Sequence, residues 1–479
     1  MACDQLATEE IADYSTPMKR YKAKYIVSGH TTLTDAVLSV DAGVVMDVAP
    51  GPFDEDLGNV AIVPGIVNAH SHAFQRMIRG RTEYLAKDRP QEDFWSWRTQ
   101  MYAAAASLDP VTIRAVARMT FLEMLMSGVT SVGEFHYIHH QPDGTPYAEP
   151  NTLAHAVIDA ARSVGLRIHL LGVAYQRGGY DRPASLSQSR FIDRSLHTYL
   201  RRTEALALHY SDDTAIQVGF APHSIRAVPR DWLEGIAARA KDTGQVIHIH
   251  ACEQQRELAE SRAEYGLEPI ELLEQSGILG TKTTLVHATH LNAISIELIA
   301  EYGCTVCACP TTERNLGDGF LPVQPLLAQR VPISLGSDSH AQINLWEDAR
   351  LVEYHERLRE ERRNIIAAHH GTWFGDGRER LETADLLWPL LNQHGADCLD
   401  QNTGRLERGT WADFCVIDLD DLSLAGTTAE SLKSDLVFSL SPSAIHSVYV
   451  NGTPIVDERR HPDTQQIIRD YQQVMGRFS

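Results

Sequence analysis

The 479-residue chain is predicted to be an α/β protein: a (β/α)8 TIM barrel over residues 62–400, with a small β-sandwich domain formed by both termini, residues 1–61 and 401–479. Three observations carry this. Eight short apolar runs alternate with segments of helical period through the middle of the chain, which is the pattern of parallel strands joined by helical crossovers. Both ends share a different texture of short β-type runs broken by Gly and Asp. Hydrophobic residues at 43% and charged residues at 22% match an ordinary globular chain with a large core. A doubly wound open sheet is the alternative arrangement of the same alternation.

Taken in order, 24–27 (Lys-Tyr-Ile-Val) and 36–40 (Ala-Val-Leu-Ser-Val) read as strands of an N-terminal meander. The run 60–63 is taken as the first barrel strand. It is followed by 129–132, 166–171, 216–220, 246–250, 284–287, 305–308 and 331–335. Segments 110–126, 152–164, 229–242 and 294–302 have the spacing of crossover helices. Residues 344–399 read as helical decoration. The end of the chain returns to strands at 413–418 and 447–456, where Asn451-Gly452 is a two-residue hairpin signal.

The formal net charge of −20 opposes binding to nucleic acid or an anionic membrane, so a small molecule is the expected partner. An anionic substrate would need basic residues gathered locally. Seven cysteines, Cys3, Cys252, Cys304, Cys307, Cys309, Cys398 and Cys415, are too few and too scattered for a disulfide framework. The first ten residues lack the basic and apolar regions of a signal peptide, and no apolar run approaches the ~18 residues of a membrane span. A soluble, cytoplasmic protein is expected.

Chemistry concentrates at the ends of the expected strands. Asn68-Ala69-His70-Ser71-His72 follows the first, and the His-x-His spacing points two imidazoles to one side. His250 ends the fifth run, His287 the sixth, and Asp338 lies just past the eighth. Such residues converge at the C-terminal mouth of a barrel. Three histidines and an aspartate make a nitrogen- and oxygen-rich shell suited to Zn or Fe(II).

These motifs, Pro64-Gly65-Ile66-Val67-Asn68-Ala69-His70-Ser71-His72, His250-Ala251-Cys252-Glu253, Val286-His287 and Gly336-Ser337-Asp338, resemble the amidohydrolase superfamily and its one-metal, deaminase-like branch. Residues 404–413 look like that superfamily's entry to its C-terminal sandwich. Within the branch, His72-Ala73-Phe74-Gln75-Arg76, Asp93-Phe94-Trp95-Ser96-Trp97-Arg98, Gly133-Glu134-Phe135-His136-Tyr137, residues 310–319 and Ser339-His340-Ala341 are similar to the formimidoylglutamate deiminases.

The resemblance implies that His70, His72, His250 and Asp338 ligate one divalent ion, Zn2+. It makes Glu253 the proton shuttle, has His287 hydrogen-bond the attacking water, and leaves Asp338 beside that water to accept its proton. A single ion also follows from the absence of any lysine between Lys87 and Lys241, since binuclear relatives bridge two ions with a carboxylated lysine after the fourth strand. His248 shares a strand face with His250 but lies a layer deeper, and reads as barrel interior. The implied reaction is hydrolysis of N-formimino-L-glutamate, a dicarboxylate of histidine degradation, to N-formyl-L-glutamate and ammonia. Gln75, Arg98, Tyr137, His223 and Arg226 are the implied substrate-binding residues, and Arg226 is suited to grip a carboxylate through two parallel hydrogen bonds. A homodimer is also implied.

Competing readings are a deaminase of an aminated heterocycle on the same fold and a non-catalytic interaction protein. Cys304, Cys307 and Cys309 read as core packing, since no second Cys pair supports a metal knuckle. His139 and His140 read as a solvated loop, and Arg314 receives no role.

Overall fold

The computed structural model describes residues 18–85, 87, 94–375, 377 and 379–478; Cys3, the N-terminal decapeptide and Asp93 of the aromatic motif lie outside them. Strands β1 (Lys19–Ser28), β2 (Thr31–Asp41) and β3 (Val44–Ala49) form the expected antiparallel meander, followed by β4 (Glu55–Asp56) and β5 (Val60–Pro64), both parallel to β1.

Eight parallel strands then follow in sequence order: β6 (Ile66–Ser71), β7 (Val129–His136), β8 (Arg167–Ala174), β9 (Ile216–Pro222), β10 (Ile247–Ala251), β11 (Thr283–His287), β12 (Thr305–Ala308) and β13 (Ile333–Leu335). Apart from Gln217, every residue in them is buried, as expected for strands covered on both faces. The first and last strands meet at their C-terminal ends: the Asp338 N–H donates to the His70 carbonyl at 3.0 Å, and the His72 N–H donates to the Asp338 carbonyl at 3.1 Å. This is a near-closed (β/α)8 barrel.

The C-terminal strands β14 (Phe414–Asp418), β15 (Ile445–Val450) and β16 (Thr453–Val456) complete the sandwich with β1–β5 as one continuous mixed sheet. The sheet curls until Val44 bridges Trp411, and it encloses a core in which Tyr21, Ile26, Leu38, Phe414 and Tyr449 are buried. The Phe414 and Tyr449 rings stack at 4.3 Å.

Two expectations need correction. Residues 60–63 are not the first barrel strand. Ile62 pairs with Ile26 and Val416, and Val63 with Cys415, so β5 belongs to the terminal sheet. Either location buries a short apolar run on both faces, so hydrophobicity cannot separate them. The chain changes sheets at Gly65 rather than at 62, where a Cβ would stand 2.1 Å from Thr130 Oγ1. Residues 344–399 are also more than decoration. The helix Gln393–Cys398 plugs the lower end of the barrel, with Gly395 against Val67, and Ala396, Cys398 and Leu399 packed on Val67, Ala69, Val286 and Cys307. His248 Nε2 donates to the Cys398 carbonyl at 3.1 Å and His169 Nδ1 to the Leu399 carbonyl at 2.7 Å, which satisfies one nitrogen of each imidazole deep in the barrel.

Barrel and terminal sheet are joined through a buried ion pair. Arg167, at the start of β8, donates to Asp413 at 2.9 and 3.3 Å and to the Thr214 carbonyl at 2.8 Å. Asp413 also accepts from Thr403 Oγ1 and from the Asn451 N–H, each at 2.8 Å. Removing one member of a buried pair strands the other's charge. Asp413→Ala is therefore expected to destabilise the protein by about 3–5 kcal/mol, read as a lowered midpoint in denaturant unfolding; a midpoint equal to wild type would show that the junction does not depend on this pair.

Candidate metal and active site

Strand β6 delivers His70 and His72 to the barrel mouth, β10 delivers His250, and the turn after β13 delivers Asp338. The three Nε2 atoms lie 3.2 Å (His70–His72), 3.4 Å (His72–His250) and 3.2 Å (His250–His70) apart. Asp338 Oδ1 stands 3.3 Å from His70 Nε2 and 3.2 Å from His72 Nε2. All four groups are buried, and their ligand atoms fall within 4.8 Å of one another.

The donor chemistry fits a cation. Tetrahedral bonds of about 2.0–2.1 Å to nitrogen require nitrogens about 3.3–3.4 Å apart, which is the spacing seen here. His72 Nδ1 faces the Phe135 carbonyl at 3.0 Å and His250 Nδ1 the His223 carbonyl at 2.9 Å. These carbonyls hold the proton on Nδ1 and turn the Nε2 lone pairs inward, as partners of metal-binding imidazoles do. Burial pushes the His70 imidazole down to about 4 and holds His250 well below its usual value. Burial opposes the charge on Asp338, but the His70 and His72 imidazoles beside its Oδ1 hold its carboxyl well below the usual carboxylate range.

Around this cluster the backbone is held in unusual conformations. Cys252, His287 and Asp338 have φ of 54°, 70° and 45°, a left-handed region that non-glycine residues occupy at a cost. The cost is met by the barrel, and it turns three strand ends toward one point. Glu134 of β7 steadies the His-x-His segment, accepting from Ser71 Oγ at 2.5 Å and the Ala73 N–H at 2.8 Å, while burial pushes its carboxyl up to about 7.

His287 lies with Nε2 3.8 Å from Glu253 Oε1 and Nδ1 3.4 Å from Glu313 Oε1. Burial works against its charge, but Glu253, Glu313 and Asp338 together raise it well above the ordinary imidazole range. Above these groups opens a cleft that Gln75, Arg98, Tyr137, His223 and Arg226 all line. Gln75 Nε2 donates to Tyr137 Oη at 2.8 Å. Arg226 is buried, with Nη2 3.3 Å from Glu253 Oε2 and Nε 4.0 Å from Glu257 Oε2, and its Nη1 has no hydrogen-bond partner among the described residues. The Arg98 guanidinium lies 4.5 Å over Trp95 and 5.5 Å over Tyr102, and Arg226 lies 5.5 Å over Phe94.

Every site residue singled out in the sequence thus reaches one mouth. Glu134, Glu257 and Glu313 were missed as contributors; Glu257 lies four residues after Glu253, in the first turn of the helix Gln255–Tyr265, and Glu313 sits inside the 310–319 motif. His139 and His140 are not solvated. Both are buried, with Nε2 donating to the Val173 and Ile192 carbonyls at 2.9 Å, because the 136–140 segment folds inward against Arg190 and Arg202. Cys304, Cys307 and Cys309 are buried and unpaired, as expected for core. Arg314 points away from the cleft to Gln342 Oε1 at 3.0 Å and Glu347 Oε1 at 3.5 Å.

The low proton affinities of His70 and His250 make a prediction. Protons compete for a ligand nitrogen only near or below its pKa, so a divalent ion bound here should resist acid that strips ordinary imidazoles near pH 6.5. Metal content after dialysis is expected to stay constant from pH 7 to about 5 and to fall toward pH 4; loss centred near 6.5 would contradict the burial argument.

Comparison with known proteins agrees with this geometry. The amidohydrolase family model matches residues 61–455. Formimidoylglutamate deiminase of Pseudomonas aeruginosa is 34% identical over 438 residues, covering 91% of this chain and 93% of the relative. The 5-methylthioadenosine/S-adenosylhomocysteine deaminase of Natronomonas pharaonis is 28% identical, covering 89% of each. An amidohydrolase crystal structure from Brucella melitensis superposes with a TM-score of 0.86 at 30% identity, over 96% of this chain and 99% of that one. By sequence, by fold and by the residues at the barrel mouth, the chain belongs to the amidohydrolase family.

Proposed function

We propose that this protein hydrolyses N-formimino-L-glutamate to N-formyl-L-glutamate and ammonia, a step of histidine degradation. The observation that carries the reading is the pair of guanidiniums, Arg98 and Arg226, set against Phe94, Trp95 and Tyr102 beside the carboxylate and imidazole cluster. In a protein of net charge −20, two cations facing one cleft have a purpose in binding an anion. A substrate with two carboxylates uses both.

His70, His72, His250 and Asp338 hold one divalent ion, zinc in this reading, and such an ion makes water nucleophilic near neutral pH. The chain's own residues do the rest. Arg226 and Arg98 bind the carboxylates and, with Gln75, Tyr137 and His223, orient the formimino carbon. Asp338 accepts a proton from the attacking water. His287 donates a hydrogen bond to the oxygen as charge develops on it. Glu253 carries the proton to nitrogen, the carbon–nitrogen bond breaks, and ammonia leaves while the carbon keeps the oxygen as a formyl group.

The six described cysteines are buried and unpaired, which supports a reducing cytoplasm as the site of the reaction. No described helix is long and apolar enough to cross a membrane. A homodimer belongs to the same reading, and light scattering tests it. Deamination of an aminated heterocycle is the second reading, favoured by the similarity to 5-methylthioadenosine deaminase and by the apolar lining from Phe94, Trp97 and Met101.

The test is ammonia release from N-formimino-L-glutamate by metal-loaded protein, with the organic product identified by mass spectrometry. Arg98→Met and Arg226→Met are each expected to lower kcat/KM by about 10- to 100-fold, the worth of a charge-assisted hydrogen bond of about 1.5–3 kcal/mol. Folded, loaded enzyme that ignores this substrate but deaminates 5-methylthioadenosine, with Arg98→Met unaffected, would transfer the assignment to the second reading.

A further inference from the structure

We infer that Glu313 is the positioning residue of His287: it fixes the imidazole's orientation, so that Nε2 presents to the reacting oxygen. The inference rests on the catalytic role given to His287 above. Glu313 is 2% exposed, in the helix Pro310–Leu316 that follows β12. Its Oε1 accepts the Cys309 N–H at 2.8 Å, which locks the carboxylate to backbone, and the same oxygen faces His287 Nδ1 at 3.4 Å. The other ring nitrogen looks across 3.8 Å to Glu253 Oε1 and on to the cleft. A carboxylate facing Nδ1 accepts its N–H and steadies the ring while Nε2–H is directed at the reacting oxygen, which is how a buried acid orients a catalytic histidine.

His287 needs such a partner. Its φ of 70° and that of Ala288, 53°, put the end of β11 in a strained turn, and its ring stacks on His250 at 5.5 Å. Stacking restrains the plane of the ring, but it does not choose between the two ring flips. Glu313 does, because it places its acceptor on one side only. The separate bond to Cys309 gives Glu313 a structural use as well, so a useful test must distinguish capping from positioning.

The experiment is a double-mutant cycle. Glu313→Gln keeps an acceptor oxygen for the Cys309 N–H and removes the charge. In wild type the substitution is expected to lower kcat about 100-fold, within the range for general acid–base groups, with KM within about twofold and the unfolding midpoint unchanged. In a His287→Asn background the same substitution is expected to change kcat by less than about twofold, since the two residues act as a unit. Equal losses in both backgrounds, or wild-type kcat in Glu313→Gln, would overturn the inference.

A second readout does not require the substrate to be right. In protein labelled with 15N-histidine, the His287 ring signals, assigned by their loss in His287→Asn, should report an Nδ1–H held in a hydrogen bond in wild type and a weakened one in Glu313→Gln. An unchanged ring would count against Glu313 whichever molecule is turned over, whereas failure to release ammonia from N-formimino-L-glutamate with the ring shifted would count against the substrate alone.

Discussion

Three imidazole nitrogens and a carboxylate oxygen are packed together in the buried floor of the cleft. Neutral nitrogens 3.2–3.4 Å apart with their lone pairs facing repel unless a cation lies among them, and backbone carbonyls hold the protons of His72 and His250 on the far side of each ring. Much of the barrel serves this convergence. The hydrogen bonds that join the first and eighth strands are made by His70, His72 and Asp338 themselves, so barrel closure and assembly of the cluster are one event. The left-handed turns at Cys252, His287 and Asp338 belong to the same constraint, since strain at a strand end persists only where surrounding structure determines it.

A second constraint is charge. The chain carries far more acid than base, yet the mouth of the barrel gathers Arg98 and Arg226 against aromatic faces. Aromatic rings hold guanidiniums without neutralising them, whereas Glu253 and Glu257 neutralise Arg226 only on one side. Burial pushes Glu257 up to about 7, so this second carboxyl releases its proton with difficulty beside Glu253. The site thus combines a floor of imidazoles and a carboxylate that fits a cation, a wall of carboxylates and a wall of guanidiniums; barrel strand ends supply most of these groups, and Arg98 comes from the helix Phe94–Ala106.

The lower end of the molecule keeps that barrel in shape. Arg167 and Asp413 tie β8 to the terminal sheet, and the helix Gln393–Cys398 fills the barrel interior that lies below the cluster. A barrel is a packed core rather than a pore, and here part of the packing comes from a segment more than 300 residues away from the first strand it touches, Gly395 against Val67.

What the sequence determined by itself was the alternation of strands and helices and the residues at the strand ends. His70, His72, His250, His287 and Asp338 were legible because a barrel puts the residue that ends each strand at one mouth, so linear position already encodes convergence. Arg98, Arg226 and Glu253 were legible through motifs near those ends. Only the tertiary structure decided where the run 60–63 pairs, because an apolar strand buried on both faces looks the same in either sheet and the deciding contacts are its ladders with β1 and β14. It also decided that His139 and His140 are buried, that residues 393–399 plug the barrel, and that Glu313 faces His287 from 26 positions further along the chain. Each of these depends on contacts between distant parts of the chain, and local spacing carries no record of which distant surface a side chain will meet.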